Sequence, residues 1–311
     1  GGFGYLGSRL AQFLISQGVN EIILGSRRLM ESPSWLPHAK VVKIQWDSLS
    51  KLEEICSGID VVIHLAGMNA QDCANDPVSA LEFNGVAAGR LLHAAMRRGV
   101  KRFIYLSTAH VYASLLQGEI TEATCPTNLH PYATSHRAGE DVVRFAHQSG
   151  NIEGIVIRLS NAFGVPAHKD ANCWMLLVND LCQQAVSDKR LVLHSSGLQR
   201  RDFVTLTDVT RAISHLLNLN NEQVADGLFN VGGVWAPSIA DMAELIQSRC
   251  NELFGFKPDL VIREKAGKEK SCLIDYSIEK LIATGFSLTG EPVTEIDHTL
   301  ELCRNINTGT V

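Results

Sequence analysis

Gly1-Gly2-Phe3-Gly4-Tyr5-Leu6-Gly7 places three glycines at G-x-x-G-x-x-G spacing and runs straight into a stretch with Leu10, Phe13 and Leu14 on one side. Glycine takes tight and positive-φ conformations and lets a phosphate approach main-chain N–H groups, while the helix that follows turns its positive end to the same point. The spacing therefore predicts a dinucleotide site built by Gly1, Gly4, Tyr5, Leu6 and Gly7, opening a helix that stops near Gly18. Such a loop follows a buried strand, and here nothing stands before Gly1. The expectation is a central strand upstream, within about ten residues not contained in the sequence.

Downstream, short apolar runs alternate with stretches of helical length. Glu21 to Leu24, Lys40 to Gln45, Val61 to Leu65, Phe103 to Leu106 and Gly154 to Arg158 read as strands. Runs apolar throughout, joined by helices, imply a parallel sheet covered on both faces, a doubly wound α/β fold of Rossmann type. Past about residue 160 the alternation loosens. Residues 1–160 are read as the dinucleotide-binding domain and 161–311 mainly as a smaller substrate-binding lobe, although later segments also return to the first. Within the lobe, Ser238 to Cys250 reads as a helix capped by Ser238, with Ile239, Met242, Leu245 and Ile246 on one face.

The 311 residues are 45% hydrophobic and 20% charged, with a formal net charge of −5. This composition suits a soluble protein and argues against nucleic acid or an anionic membrane as partner. Eight cysteines lie far apart with no C-x-x-C pair, which fits neither a metal site nor a disulfide scaffold. Reduced, mostly buried thiols in a cytoplasm are expected, and no apolar run reaches the roughly 18 residues that span a bilayer.

About twenty residues past the glycines, where a dinucleotide fold places a carboxylate on the adenosine ribose, the chain reads Gly25-Ser26-Arg27-Arg28. Two forked cations beside a hydroxyl suit a 2′-phosphate, so NADP(H) is expected over NAD(H). The alternative is that Arg27 and Arg28 are solvated loop residues. Asp47 is expected at the adenine, and Leu65, Ala66 and Gly67 at the cofactor, because small residues end that strand. His64 is expected to be packed.

After the strand at Phe103 come Ser107-Thr108-Ala109-His110-Val111-Tyr112 and then Pro131-Tyr132-Ala133-Thr134-Ser135-His136-Arg137-Ala138-Gly139-Glu140. Together with the glycine loop, His64 to Gly67, Asn84, Arg158 to Pro166, Arg201-Asp202-Phe203 and Phe229 to Gly232, these resemble the extended short-chain dehydrogenase/reductases, especially nucleotide-sugar epimerases and reductases. The resemblance runs over essentially the whole chain. It implies that Thr108 hydrogen-bonds the reacting oxygen, that Tyr132 exchanges its proton, and that the residue four places on grips the nicotinamide ribose. That residue is normally a lysine; here it is His136. A cation about 4 Å from the phenol at an effective dielectric of about 20 is worth ~4 kcal/mol, or about three pKa units, and imidazole supplies this only when protonated. His136 is expected as the electrostatic partner of Tyr132, with a decayed, binding-only site as the alternative.

Other departures narrow the chemistry. The acid and base pair of the family's 4,6-dehydratases is replaced by Ala109 and His110, which argues against dehydration and leaves His110 as a pocket residue or a second acid/base. Asn161 is expected to bond the substrate and Arg201 to neutralise its pyrophosphate. Arg158 is read as internally paired, with Asp202 and Asp208 as possible turn holders. The expectation is an NADP-dependent epimerase or 4-keto reductase acting on a nucleoside-diphosphate sugar, without metal. Alternatives are a reductase of another small carbonyl compound and a non-catalytic NADP-binding regulator. The resemblance further implies a homodimer through Gly85 to Arg97 and Ser135 to Gln148, with Ala87, Ala88, Leu91, Ala95, Ala138, Val142, Phe145 and Ala146 available for the face; the alternative is that these residues pack only against the sheet.

Overall fold

In the computed structural model, which describes residues 1–263 and 272–310, the apolar runs form a parallel sheet. Its order is Leu228–Val231, Glu153–Leu159, Arg102–Thr108, Val61–His64. Beside it Ile23–Ser26 pairs in parallel with Lys40–Lys43. The two pieces meet at the glycine loop: a Cβ on Gly1 would strike the Leu65 backbone, and one on Gly2 the Leu24 side chain.

Alternation along a strand sends neighbours to opposite faces, and both faces here are covered. Ile104, Ile155, Ile157 and Phe229 pack with Leu6, Leu10 and Leu14 of helix Tyr5–Ser16 and with Val209 and Ile213 of helix Leu206–Leu217. Phe103, Tyr105 and Val156 pack on the other side against Leu91, Leu92 and Ala95 of helix Ala88–Arg97 and Val143 and Ala146 of helix Pro131–Gln148. A second core joins Phe163, Leu181, Leu191, Phe203, Met242, Ile246, Ile296 and Leu300. Two contacts tie it to the glycine-loop helix: Arg9 Nη2 to Glu295 Oε1 at 3.1 Å, and Tyr5 Oη donating to Gly164 O at 2.7 Å.

Several boundaries differ from the sequence reading. The strand expected at Glu21 to Leu24 is Ile23–Ser26, shifted two residues along, with Ile23 in register with Lys40. The helix capped by Ser238 spans Ile239–Phe254, past Cys250, and ends on Gly255 at φ 71°, the left-handed conformation that favours glycine. Helix Tyr5–Ser16 does stop at Gly18, with φ 85°. Ahead of Ala88–Arg97 lies a π-helical turn, Leu81–Ala87, which periodicity does not signal. All eight cysteines are free. Among the described residues no helix is long and apolar enough to cross a membrane, and no group of three or more His, Cys, Asp or Glu is placed to hold a metal.

Candidate active site

The glycine loop closes on itself. Gly4 N–H donates to Gly1 O at 3.0 Å; a Cβ on Gly7 would stand 2.2 Å from that oxygen, and one on Gly1 2.5 Å from the Leu65 carbonyl carbon. Only glycine fits these places. Gly4 caps the helix without any side-chain hydrogen bond, so the leading N–H groups of Tyr5, Leu6 and Gly7 point out of the helix end. The helix end formed by Gly1, Gly4, Tyr5, Leu6 and Gly7 thus presents main-chain donors beside the backbone of Leu65 and Ala66, a cradle open to a ligand. A dinucleotide pyrophosphate fits such a cradle.

Ser26 ends its strand beside this loop, and its Oγ accepts from Arg28 N–H at 3.1 Å. Arg27 and Arg28 are both exposed, with the Arg27 guanidinium 6.0 Å from the centre of the Phe83 ring. Asp47 stands apart. Its carboxylate is almost wholly exposed and pairs with Arg90 at 3.1 Å, beside a groove lined by Val86, Gly89, His93, Val142 and Phe145.

The chemical centre forms where strand Arg102–Thr108 meets helix Pro131–Gln148. Proline at the first helical position and the His130 ring accepting Tyr132 N–H at 3.2 Å start that helix sharply. Tyr132 and His136, one turn apart, stack edge to face with ring centres 4.7 Å apart. Thr108 hydrogen-bonds the Tyr132 phenol. Burial nonetheless raises the phenol pKa above its ordinary value of 10.0, a rise that the Thr108 bond only offsets in part.

His136 is 6% exposed, and burial lowers its pKa to about 4. The imidazole is neutral at pH 7. Burial weighs against the charged imidazole expected to support Tyr132, since Tyr105, Tyr132 and Gly67, which pack on the ring, carry no charge. No carboxylate among these contacts offsets the loss of water. Gly67 sits against the imidazole, where a Cβ would lie 3.3 Å from Cε1. Sequence reasoning did not single out Asn84 or Tyr105 for this centre. Asn84 Oδ1 accepts from Met68 N–H at 2.8 Å, its Nδ2 donates to Ser135 Oγ at 2.9 Å, and its carbonyl accepts from Tyr105 Oη at 3.0 Å. The only sequence signal for it was the family match.

His110 lies next to this centre, its ring 6.4 Å from that of Tyr132. Burial lowers its pKa, and the nearby charge of Arg201 lowers it further, followed by His130. Arg201 thus reaches the same pocket, donating to Gln199 Oε1 at 3.1 Å, and its own pKa is lowered by burial. The Asn161 amide is turned elsewhere and donates to Asp202 O at 2.8 Å. Asp202 holds a turn by accepting from Gly233 N at 3.0 Å and Trp235 N at 3.3 Å, with burial raising its pKa to about 6. Asp208 does the same for Thr289 and Gly290. Arg158 pairs with Glu140 at 2.6 Å, both buried, and its guanidinium lies 4.6 Å over the Tyr112 ring. Removing one partner of such a pair strands the other charge, at about 3–5 kcal/mol. His64 is packed as expected, 4% exposed and stacked on Tyr105.

A glycine cradle feeding a Thr–Tyr pair at one sheet end can be compared with known proteins. Residues 1–232 match the family described as the NAD dependent epimerase/dehydratase family. The chain belongs to that family. It is 25% identical over 283 residues to the uncharacterized UDP-glucose epimerase YtcB of Bacillus subtilis (strain 168), covering 87% of this chain and 86% of that one. The structure of the UDP-glucuronic acid 4-epimerase from Bacillus cereus in complex with UDP-glucuronic acid and NAD superposes with a TM-score of 0.79, at 21% identity, over 98% of each chain. The structure of RMD from Pseudomonas aeruginosa complexed with NADPH gives 0.74 at 21%, over 97% of this chain and 96% of that one. The fold is therefore the Rossmann-type α/β fold of the epimerase/dehydratase family, and the chain is an enzyme of the extended short-chain dehydrogenase/reductase type.

Proposed function

We propose that the chain is an NADP-dependent enzyme of nucleoside-diphosphate sugars, either an epimerase working through a keto-sugar or a 4-keto reductase. The observation that carries this reading is the Thr108–Tyr132 pair at the end of strand Arg102–Thr108, hydrogen-bonded side chain to side chain, with the His136 ring 4.7 Å from that of Tyr132. Burial raises the Tyr132 pKa above its ordinary 10.0. A tyrosine with a raised pKa is protonated at neutral pH, the form from which a carbonyl oxygen would take its proton.

In this reading Thr108 and Tyr132 hold the substrate carbonyl oxygen between them, and Tyr132 gives its phenolic proton to that oxygen as it becomes a hydroxyl. Bound in the cradle, NADPH would supply the hydride. Arg201, on the pocket wall by His110, pairs with the substrate diphosphate, and Asn161 offers its remaining acceptor. Arg27 and Arg28 receive the 2′-phosphate, with Ser26 between the strand and the cation pair; Asp47, paired with Arg90 beside the outward groove, is left out of the cofactor site. A homodimer is part of the proposal, because Val86, Val142 and Phe145 stand 45%, 43% and 70% exposed around the outward groove. A cytoplasmic setting is in keeping with eight unpaired cysteines.

The test is absorbance of NADPH with a panel of 4-keto sugar nucleotides, against Tyr132→Phe. Oxidation of cofactor by the parent alone supports reduction; sugar interconversion without net oxidation supports epimerisation. The neutral His136 also favours a second reading, a non-catalytic NADP-binding regulator. Binding without turnover of any substrate, unchanged in Tyr132→Phe, decides for it.

A further inference from the structure

We propose that Tyr105 is a positioning residue that holds His136 in the tautomer protonated on Nδ1 and so turns a bare Nε2 toward Gly67 as an acceptor for a cofactor hydroxyl. The last step rests on the reading of this pocket as a nicotinamide dinucleotide site; the tautomer does not. Tyr105 Oη has three neighbours: Asn84 O at 3.0 Å, His136 O at 3.4 Å and His136 Nδ1 at 3.3 Å. Carbonyl oxygens only accept, so they take the single phenolic proton, and the lone pair is left facing Nδ1. A hydrogen bond there requires Nδ1–H. The opposite wiring, Tyr105 donating to the ring, would leave the shorter contact to a buried carbonyl without a proton. A neutral imidazole carries one N–H, so Nε2 is bare.

Nε2 lies 3.4 Å from the point a Cβ on Gly67 would occupy; the glycine leaves that room free. The hydroxyl of Tyr105 is itself seated. The residue is 1% exposed, and a Cβ on Gly139 would stand 2.3 Å from Oη, so helix Pro131–Gln148 keeps a notch for it. A lysine at position 136 offers hydrogen-bond donors to the ribose, whereas this imidazole offers an acceptor. The polarity of the contact is reversed.

The experiment is a long-range 1H–15N spectrum of the full chain labelled on histidine, with His136→Gln assigning the signal. The expected result is a protonated Nδ1 and an unprotonated Nε2 in the parent, and loss of that fixed pattern in Tyr105→Phe, which a merely structural role would not produce. An Nε2–H ring in the parent, or an unchanged Nδ1–H ring in Tyr105→Phe, overturns the assignment. Should Tyr105→Phe fail to fold, the parent spectrum alone decides the tautomer. Calorimetry then tests the acceptor: NADP(H) affinity should fall about 3- to 10-fold in Tyr105→Phe, the loss of one well-placed hydrogen bond. Equal affinity in a variant whose tautomer has changed overturns the acceptor role. A parent with the expected ring that binds no nucleotide overturns the proposed function and leaves the tautomer standing.

Discussion

His136→Lys is the substitution whose outcome the geometry specifies most closely. The parent ring is neutral and its centre lies 4.7 Å from that of Tyr132. An ammonium about 4 Å from the phenol, at an effective dielectric of about 20, stabilises phenolate by ~4 kcal/mol, or about three pKa units. Burial draws the lysine itself toward neutrality, so this figure is the ceiling. The Tyr132 pKa should drop from above 10.0 toward neutrality.

The assay is kcat/KM against pH in both directions with the best substrate found, NADP(H) binding being checked for each variant. Reduction needs the phenol and oxidation of the product alcohol needs phenolate. In the parent, reduction should stay level up to about pH 9 while oxidation climbs about tenfold per pH unit without levelling. In His136→Lys, reduction should begin to fall, and oxidation to level off, up to about three units lower. Tyr132→Phe should be inactive throughout. Superposable profiles for parent and His136→Lys, with cofactor bound equally, would refute the electrostatic argument. A parent whose reduction declines as pH rises through about 6.5 would show instead that its imidazole is charged.

The same burial predicts acid sensitivity. A histidine held at about 4 in the fold and at about 6.5 unfolded binds fewer protons when native, so stability is lost as pH falls through that window at up to about 1.4 kcal/mol per pH unit. His136→Gln should flatten the urea-unfolding slope between pH 6.5 and 4 by about that amount; an unchanged slope counts against a neutral buried ring. Arg27→Ala with Arg28→Ala should weaken NADP(H) by about 1.5–3 kcal/mol, the range for hydrogen bonds to charged groups, with NAD(H) unaffected. Titration calorimetry checks this, and equal affinities for NAD and NADP in the parent would sink the assignment. Phe145→Glu, at a residue 70% exposed, should shift the light-scattering mass from twice to once the 34.0 kDa chain; a parent already at 34.0 kDa would refute the dimer.

What was legible in the sequence and what was not divide along a physical line. The glycine loop could be read because its demands are local: Gly1 and Gly7 have no room for a Cβ, and spacing alone conveys that. The parallel sheet could be read because strands covered on both faces are apolar throughout. Which apolar helix residues meet the sheet could not, since Ala88, Leu91, Ala95 and Ala146 are buried while Val142 and Phe145 face outward, and residue type does not distinguish them. The charge of His136 is not legible in the sequence for a related reason. Sequence supplies a reference pKa near 6.5, whereas the value in the fold is set by what replaces water around the ring, and here that is two tyrosines and a glycine from three separate segments. Those neighbours also decide what the substitution means. A histidine in the lysine position on an exposed helix would be a weak cation that titrates near neutrality; enclosed by Tyr105, Tyr132 and Gly67 it is no cation at all. With a buried, uncharged ring beside it, Tyr132 starts its proposed proton exchange from the phenol.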